Sequence, residues 1–138
     1  MSLFDALKNP IDLAGRLLIA FIFVFSGWGK LTAYSGTAAY MASHGVPTIL
    51  LPLVILTELG GGLLIAFGYQ TRLIAFLMAG FAVLTALFFH FHPGDQAQMI
   101  NFMKNLSIAG GFLFLAANGA GAWSLDGLRA RAGVAYPA

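Results

Sequence analysis

The sequence has no cysteine. Disulfides, thiolate nucleophiles and cysteine-ligated metal centres are therefore excluded within the chain itself. Charge is nearly as scarce. Asp, Glu, Lys and Arg make up 9% of the 138 residues, where a soluble domain carries about a quarter. With 59% hydrophobic residues and a mean hydropathy of +0.86, the chain belongs in a membrane. Also missing are a phosphate-cradling glycine loop, a nucleophile elbow and a zinc-binding helix pair, so no soluble-enzyme motif names a reaction. A net charge of +2 in so apolar a chain gives no reason to expect a nucleic-acid partner.

What is present is length without charge. Four apolar runs extend from roughly Leu13 to Leu31, Leu50 to Phe67, Leu73 to Phe91 and Leu106 to Ala122. Each approaches the roughly 20 residues that cross about 30 Å of hydrocarbon as a helix. Backbone groups in lipid must be satisfied within the segment, so the runs are predicted to be helices. The expected fold is all-α, a single four-helix membrane bundle with antiparallel neighbours. Its spans are placed at about 12–33, 50–68, 72–91 and 103–122, with amphipathic segments at about 2–9 and 36–43. A cleavable leader is the competing reading of the first run. Arg16 inside the apolar pattern and the three later spans argue against it.

Breakers and caps divide the chain. Asn9-Pro10 is expected to end a short interfacial helix that Ser2 caps, and Pro10 to open span one. Gly68-Tyr69-Gln70-Thr71-Arg72 reads as a tight turn, His92-Pro93-Gly94 as a break, and Asp95 as a cap for a helix running into span four. After Trp123 a short polar tail is expected. Four spans place both termini on one side with Lys8, Arg16, Arg72, Arg129 and Arg131, against Lys30 and Lys104 on the other. That bias predicts cytoplasmic termini.

The ionisable groups inside the spans are the candidate site. Glu58 lies in LTELGGG, and Gly61 and Gly62, three and four residues on, share its helix face. The glycines suit close helix contact, so Glu58 is expected to face the bundle. Lys30, His90, Lys104 and Asn105 approach from the same, outer end, with Ser26 one turn below Lys30. A carboxylate at this depth costs a few kcal/mol unless it is paired. It is expected to be ionised and paired with Lys30 or Lys104, or else protonated through desolvation. The pair is either a structural lock on helix register or one wall of a polar pocket. Arg16 and Asn118 form a secondary polar layer toward the termini, Arg16 being read as an interfacial anchor that reaches lipid phosphate. His90 and His92 point about 160° apart on a continuous helix, so no metal or haem site is expected.

The pieces GRLLIAFIFVFSGWGKL, TELGGGLLIAFGYQTR, KNLSIAGGFLFLAANGAG and SLDGL, in this order between Asp12 and Leu128, resemble the DoxX family of small four-span bacterial membrane proteins. The resemblance implies a multi-pass protein of the bacterial inner membrane. It also implies that Lys30, Glu58, Lys104, Asn105 and Arg16 occupy characteristic polar positions. Members of that family are linked to a quinol oxidase, to quinone-coupled thiosulfate oxidation and to oxidative-stress complexes, and many have no assigned activity. Three functions compete. One is a subunit or accessory of a redox system whose polar pocket meets a quinone, in contact with lipid and other redox-complex subunits. The others are proton or small-solute transport through a homo-oligomer, and a scaffold for soluble partners.

Overall fold

Capping explains where the helices begin. The Ser2 hydroxyl accepts from the Asp5 N–H while the Asp5 carboxylate accepts from the Ser2 N–H, a reciprocal box that starts α1 (Leu3–Ala6). Helix α2 (Lys8–Thr32) follows directly. Pro10 falls in its first turn, where a missing N–H costs least, so the break expected at Asn9-Pro10 lies instead at Leu7. The computed structural model describes residues 1–133, and the end of the polar tail expected after Trp123 lies outside them. The remaining helices are α3 (Tyr34–Ser43), α4 (Thr48–Phe67), α5 (Thr71–His90), α6 (Gln96–Asn118) and α7 (Leu125–Arg131).

Helices α2, α4, α5 and α6 are each long and apolar enough to cross a membrane. Their interior is lean in bulk: Ala20, Ala75, Ala79, Ala82 and Ala109 let the backbones approach, and Phe23, Met78 and Phe112 fill the space between them. In no span is more than 28% of the most apolar stretch buried inside the chain. Phe21, Phe25, Phe76 and Phe114 stand exposed on outer faces, which suits hydrocarbon as solvent.

Span four differs from its expected limits. Asp95 does cap it, accepting from the Gln98 N–H, but the helix begins at Gln96 and stops at Asn118, before Gly119 at φ 82°. Residues up to Ala122 therefore belong to a turn leading into α7. Spans two and three meet across Gly68, Tyr69 and Gln70. Gly68 takes φ 72°, and a Cβ there would lie 2.5 Å from Arg16 Nη1, so both conformation and space require glycine.

Two of the spans are not regular. In α4 the residues Leu56–Gly60 form a π-helical turn, and α5 ends in another at Ala86–His90. Such turns carry one extra residue, are rare, and occur frequently at functional sites. The first lies midway along its span, and the second closes α5 at the end of the bundle away from α1 and α7.

Candidate functional site

Glu58 sits inside the first π-turn, about 15 Å along α4 from Thr48 at 1.5 Å per residue. It is 6% exposed. Lys30, in the last turn of α2, places Nζ 2.9 Å from Glu58 Oε1 and 3.0 Å from Oε2, and donates to Ser26 Oγ at 2.6 Å. The ammonium thus meets both carboxylate oxygens and a hydroxyl. The two helices come this close because a Cβ on Gly27 would fall 2.7 Å from the Leu59 backbone nitrogen. Removing one member of such a pair strands a charge in low dielectric, which is why it holds register.

A cavity of about 310 Å³ opens beside the pair. Phe23, Phe81, Phe89 and Tyr40 form aromatic walls, and Ser26, Lys30, Glu58, Thr85, His90 and Asn105 supply the polar ones. His90 belongs to the second π-turn, and its Nδ1 lies 2.8 Å from Gln98 Oε1 on α6. With that amide oxygen as acceptor, Nδ1 is the donor. Asn105 Nδ2 donates to Thr85 Oγ1 at 3.1 Å. Helix α3 is more than the interfacial segment expected near 36–43. It starts at Tyr34, buries Met41, and contributes Thr37, Tyr40 and Met41 to the cavity.

The structure therefore brings together Ser26, Lys30, Glu58, His90 and Asn105, and leaves Lys104 out. Lys104 is exposed and is not among the cavity's lining residues. Adjacent residues on a helix point about 100° apart, so with Asn105 turned inward Lys104 faces outward. Of the two lysines weighed as partners of Glu58, Lys30 makes the pair. His92 is exposed, with its ring 6.1 Å from that of His44. Among the described residues no three His, Asp or Glu side chains converge as a metal set would require.

Arg16 overturns its reading as a snorkelling anchor. It is 2% exposed and lies against the end of α4, with Nη1 donating to Ile65 O at 3.2 Å and Ala66 O at 2.9 Å. Nη2 donates to the Trp123 carbonyl. The last carbonyls of a helix lack intrahelical donors and form its negative pole, so a five-donor planar cation fits there better than in the headgroups. Asn118 lies at the same end, its amide donating to Phe114 O at 2.8 Å.

Asp126 is the polar residue that sequence reasoning missed. It is 1% exposed, and its carboxylate accepts from the backbone N–H of Gln70 and of Thr71, each at 2.9 Å. It caps α5 from a segment read as tail, whose SLDGL was noted for the family resemblance and not as a site. The available signal was Ser124, whose hydroxyl accepts from the Gly127 N–H and starts α7. Arg16 and Asp126 together hold the turn between spans two and three, one on its carbonyls and the other on its N–H groups.

Comparison with known proteins agrees with this architecture. Residues 11–91 match the DoxX family model, which covers Arg16, Lys30, Glu58 and His90 but not Asn105 or Asp126. YqjF, an inner membrane protein of Escherichia coli K12, is 52% identical over 116 residues, 84% of this chain and 89% of its own. YphA, another inner membrane protein of that organism, is 39% identical over 130 residues, 89% of this chain and 93% of its own. CatD of Bacillus subtilis 168, provisionally named an oxidoreductase, is 33% identical over 64 residues, 46% of this chain and 48% of its own. No solved structure matches the chain. Four membrane-crossing helices and inner-membrane relatives along most of its length make it a multi-pass inner membrane protein. The chain belongs to the DoxX family.

Proposed function

We propose that the cavity beside Lys30 and Glu58 binds a quinone head group, and that the protein serves as a membrane subunit or accessory of a quinone-linked redox system. The observation that carries this reading is a donor and an acceptor, held as one ion pair, at the polar end of an aromatic-walled cavity of about 310 Å³. That volume lies at the lower end of small-ligand sites, about 300 to 1,000 Å³, and suits a ring with its isoprenoid tail left in lipid. Lys30 Nζ donates to a ring oxygen, and Glu58 orients that amine and accepts a proton when a ring hydroxyl carries one. His90 offers a second polar contact, its ring fixed by Gln98. The quinone supplies the two-electron couple, and the electron-transfer centre belongs to a partner subunit. With cytoplasmic termini, the cavity lies in the outer half of the bilayer.

The test is an absorption spectrum of protein purified in mild detergent, followed by mass spectrometry of its organic extract. Near-stoichiometric quinone in the wild type, lost in Glu58→Gln and Lys30→Ala while the protein stays folded, is the expected result. An extract with phospholipid alone would refute the reading and leave the pair as a structural lock.

A further inference from the structure

A second cavity, of about 550 Å³, lies at the opposite end of the bundle between α2 and α6. Its polarity is graded with depth. Lys8, Asp12 and Asn118 line it near the helix ends, and Gly15, Ile19 and Gly111 line it toward the membrane middle. From Lys8 to Ile19 is about 16 Å along the helix at 1.5 Å per residue. Gly15 is exposed, and a Cβ there would meet nothing within 4 Å, so the cleft is open at that point and narrows where Ile19 approaches Gly111.

The cleft offers a ligand one charge of each sign. Lys8 Nζ lies 2.5 Å from Asp12 Oδ2 in a pair that remains largely accessible at its lysine end. Arg16 also borders the cleft, but its Nη atoms are engaged on carbonyls of α4 and of Trp123. The charged groups left to face a ligand are therefore Lys8 and Asp12, one of each sign. Beside them α6 presents its C-terminal, negative pole and the Asn118 amide, whose carbonyl is an acceptor. A ligand with an isolated negative charge would meet Asp12 and this pole. A ligand carrying both charges can lie alongside the Lys8–Asp12 pair with each end matched.

We propose that this cleft is a binding site for a zwitterionic aminophospholipid of the surrounding bilayer. Its phosphate lies on Lys8, its ammonium lies among Asp12, the Asn118 carbonyl and the end of α6, and an acyl chain runs past Gly15 toward Ile19 and Gly111. The assignment stands on charge complementarity and the depth gradient, independently of the quinone reading.

The experiment uses the full chain in nanodiscs of equimolar phosphatidylethanolamine and phosphatidylglycerol, released gently and weighed by native mass spectrometry. The expected result is about one retained phosphatidylethanolamine per chain, favoured several-fold over phosphatidylglycerol. A Cβ at Gly15 meets no other heavy atom within 4 Å, so Gly15→Leu can place a side chain in the cleft and should abolish retention without lowering the melting temperature. Asp12→Asn should shift the preference toward phosphatidylglycerol. Equal retention of the two lipids, or undiminished retention in Gly15→Leu, would overturn the proposal. Should Asp12→Asn fail to fold, because Asp12 packs against Gly121, the wild-type preference and Gly15→Leu still decide.

Discussion

Lys30 and Glu58 are worth more together than apart, because each alone is an unpaired charge facing a low-dielectric cavity. Lys30→Met should cost about 3 kcal/mol by stranding the carboxylate. The double variant Lys30→Met/Glu58→Gln should recover part of that loss, and a double-mutant cycle of thermal unfolding in detergent measures the coupling. Asp126→Ala should cost about 2 kcal/mol, since it removes a carboxylate from two N–H groups at a helix start, one buried and one half-buried. Its local signature is faster amide exchange at Gln70 and Thr71. Asp5 behaves differently because it is fully exposed. Hydrogen bonds from the Ser2 backbone N–H and hydroxyl hold its carboxyl below the ordinary 3.8. A lowered folded value contributes stability above the unfolded value, and that contribution is lost as pH falls from about 3.8 through the folded one. The protection factors of the Asp5 and Ala6 amides should fall in that acid window and stay level above it.

At the level of elements, the contact between α2 and α4 depends on Gly27. Gly27→Ala drives a methyl into the Leu59 backbone, which cannot swing aside, and should cost about 1 to 3 kcal/mol. Gly29→Ala, with nothing within 4 Å of its Cβ, is the matched control and should leave the melting temperature unchanged or raised. The sequence reveals some of these elements and hides others. Four apolar runs are legible because hydrocarbon leaves the backbone no alternative to helix, and Glu58 faces inward as the glycines beside it suggested. The side chain that meets it was not legible. Choosing Lys30 over Lys104 depends on the rotation of α6, a matter of about 100° that hydropathy does not encode. Nor do the π-turns have a signature in LTELG or ALFFH, since one extra residue per turn changes no composition. Arg16 and Asp126 escaped for a third reason. Their partners are backbone groups 49 to 107 positions away, which no local pattern can name.

For the molecule as a whole, the absence of cysteine makes topology directly measurable. Single cysteines at Gly94 and at Arg72 should label with membrane-impermeant maleimide from opposite faces of the inner membrane, Gly94 from the periplasmic one. Labelling in the reverse order would place the cavity in the cytoplasmic half. The clamp on the turn between spans two and three has a consequence in time. Thr71 and Gln70 wait for a carboxylate made 55 and 56 residues later, and Arg16 waits for the Trp123 carbonyl. A ribosome can deliver all four spans to the membrane before either bond exists. A chain stopped after Ala122 should therefore insert with four spans yet yield to protease at the turn, so that synthesis of the last segment acts as the final latch on an otherwise assembled bundle.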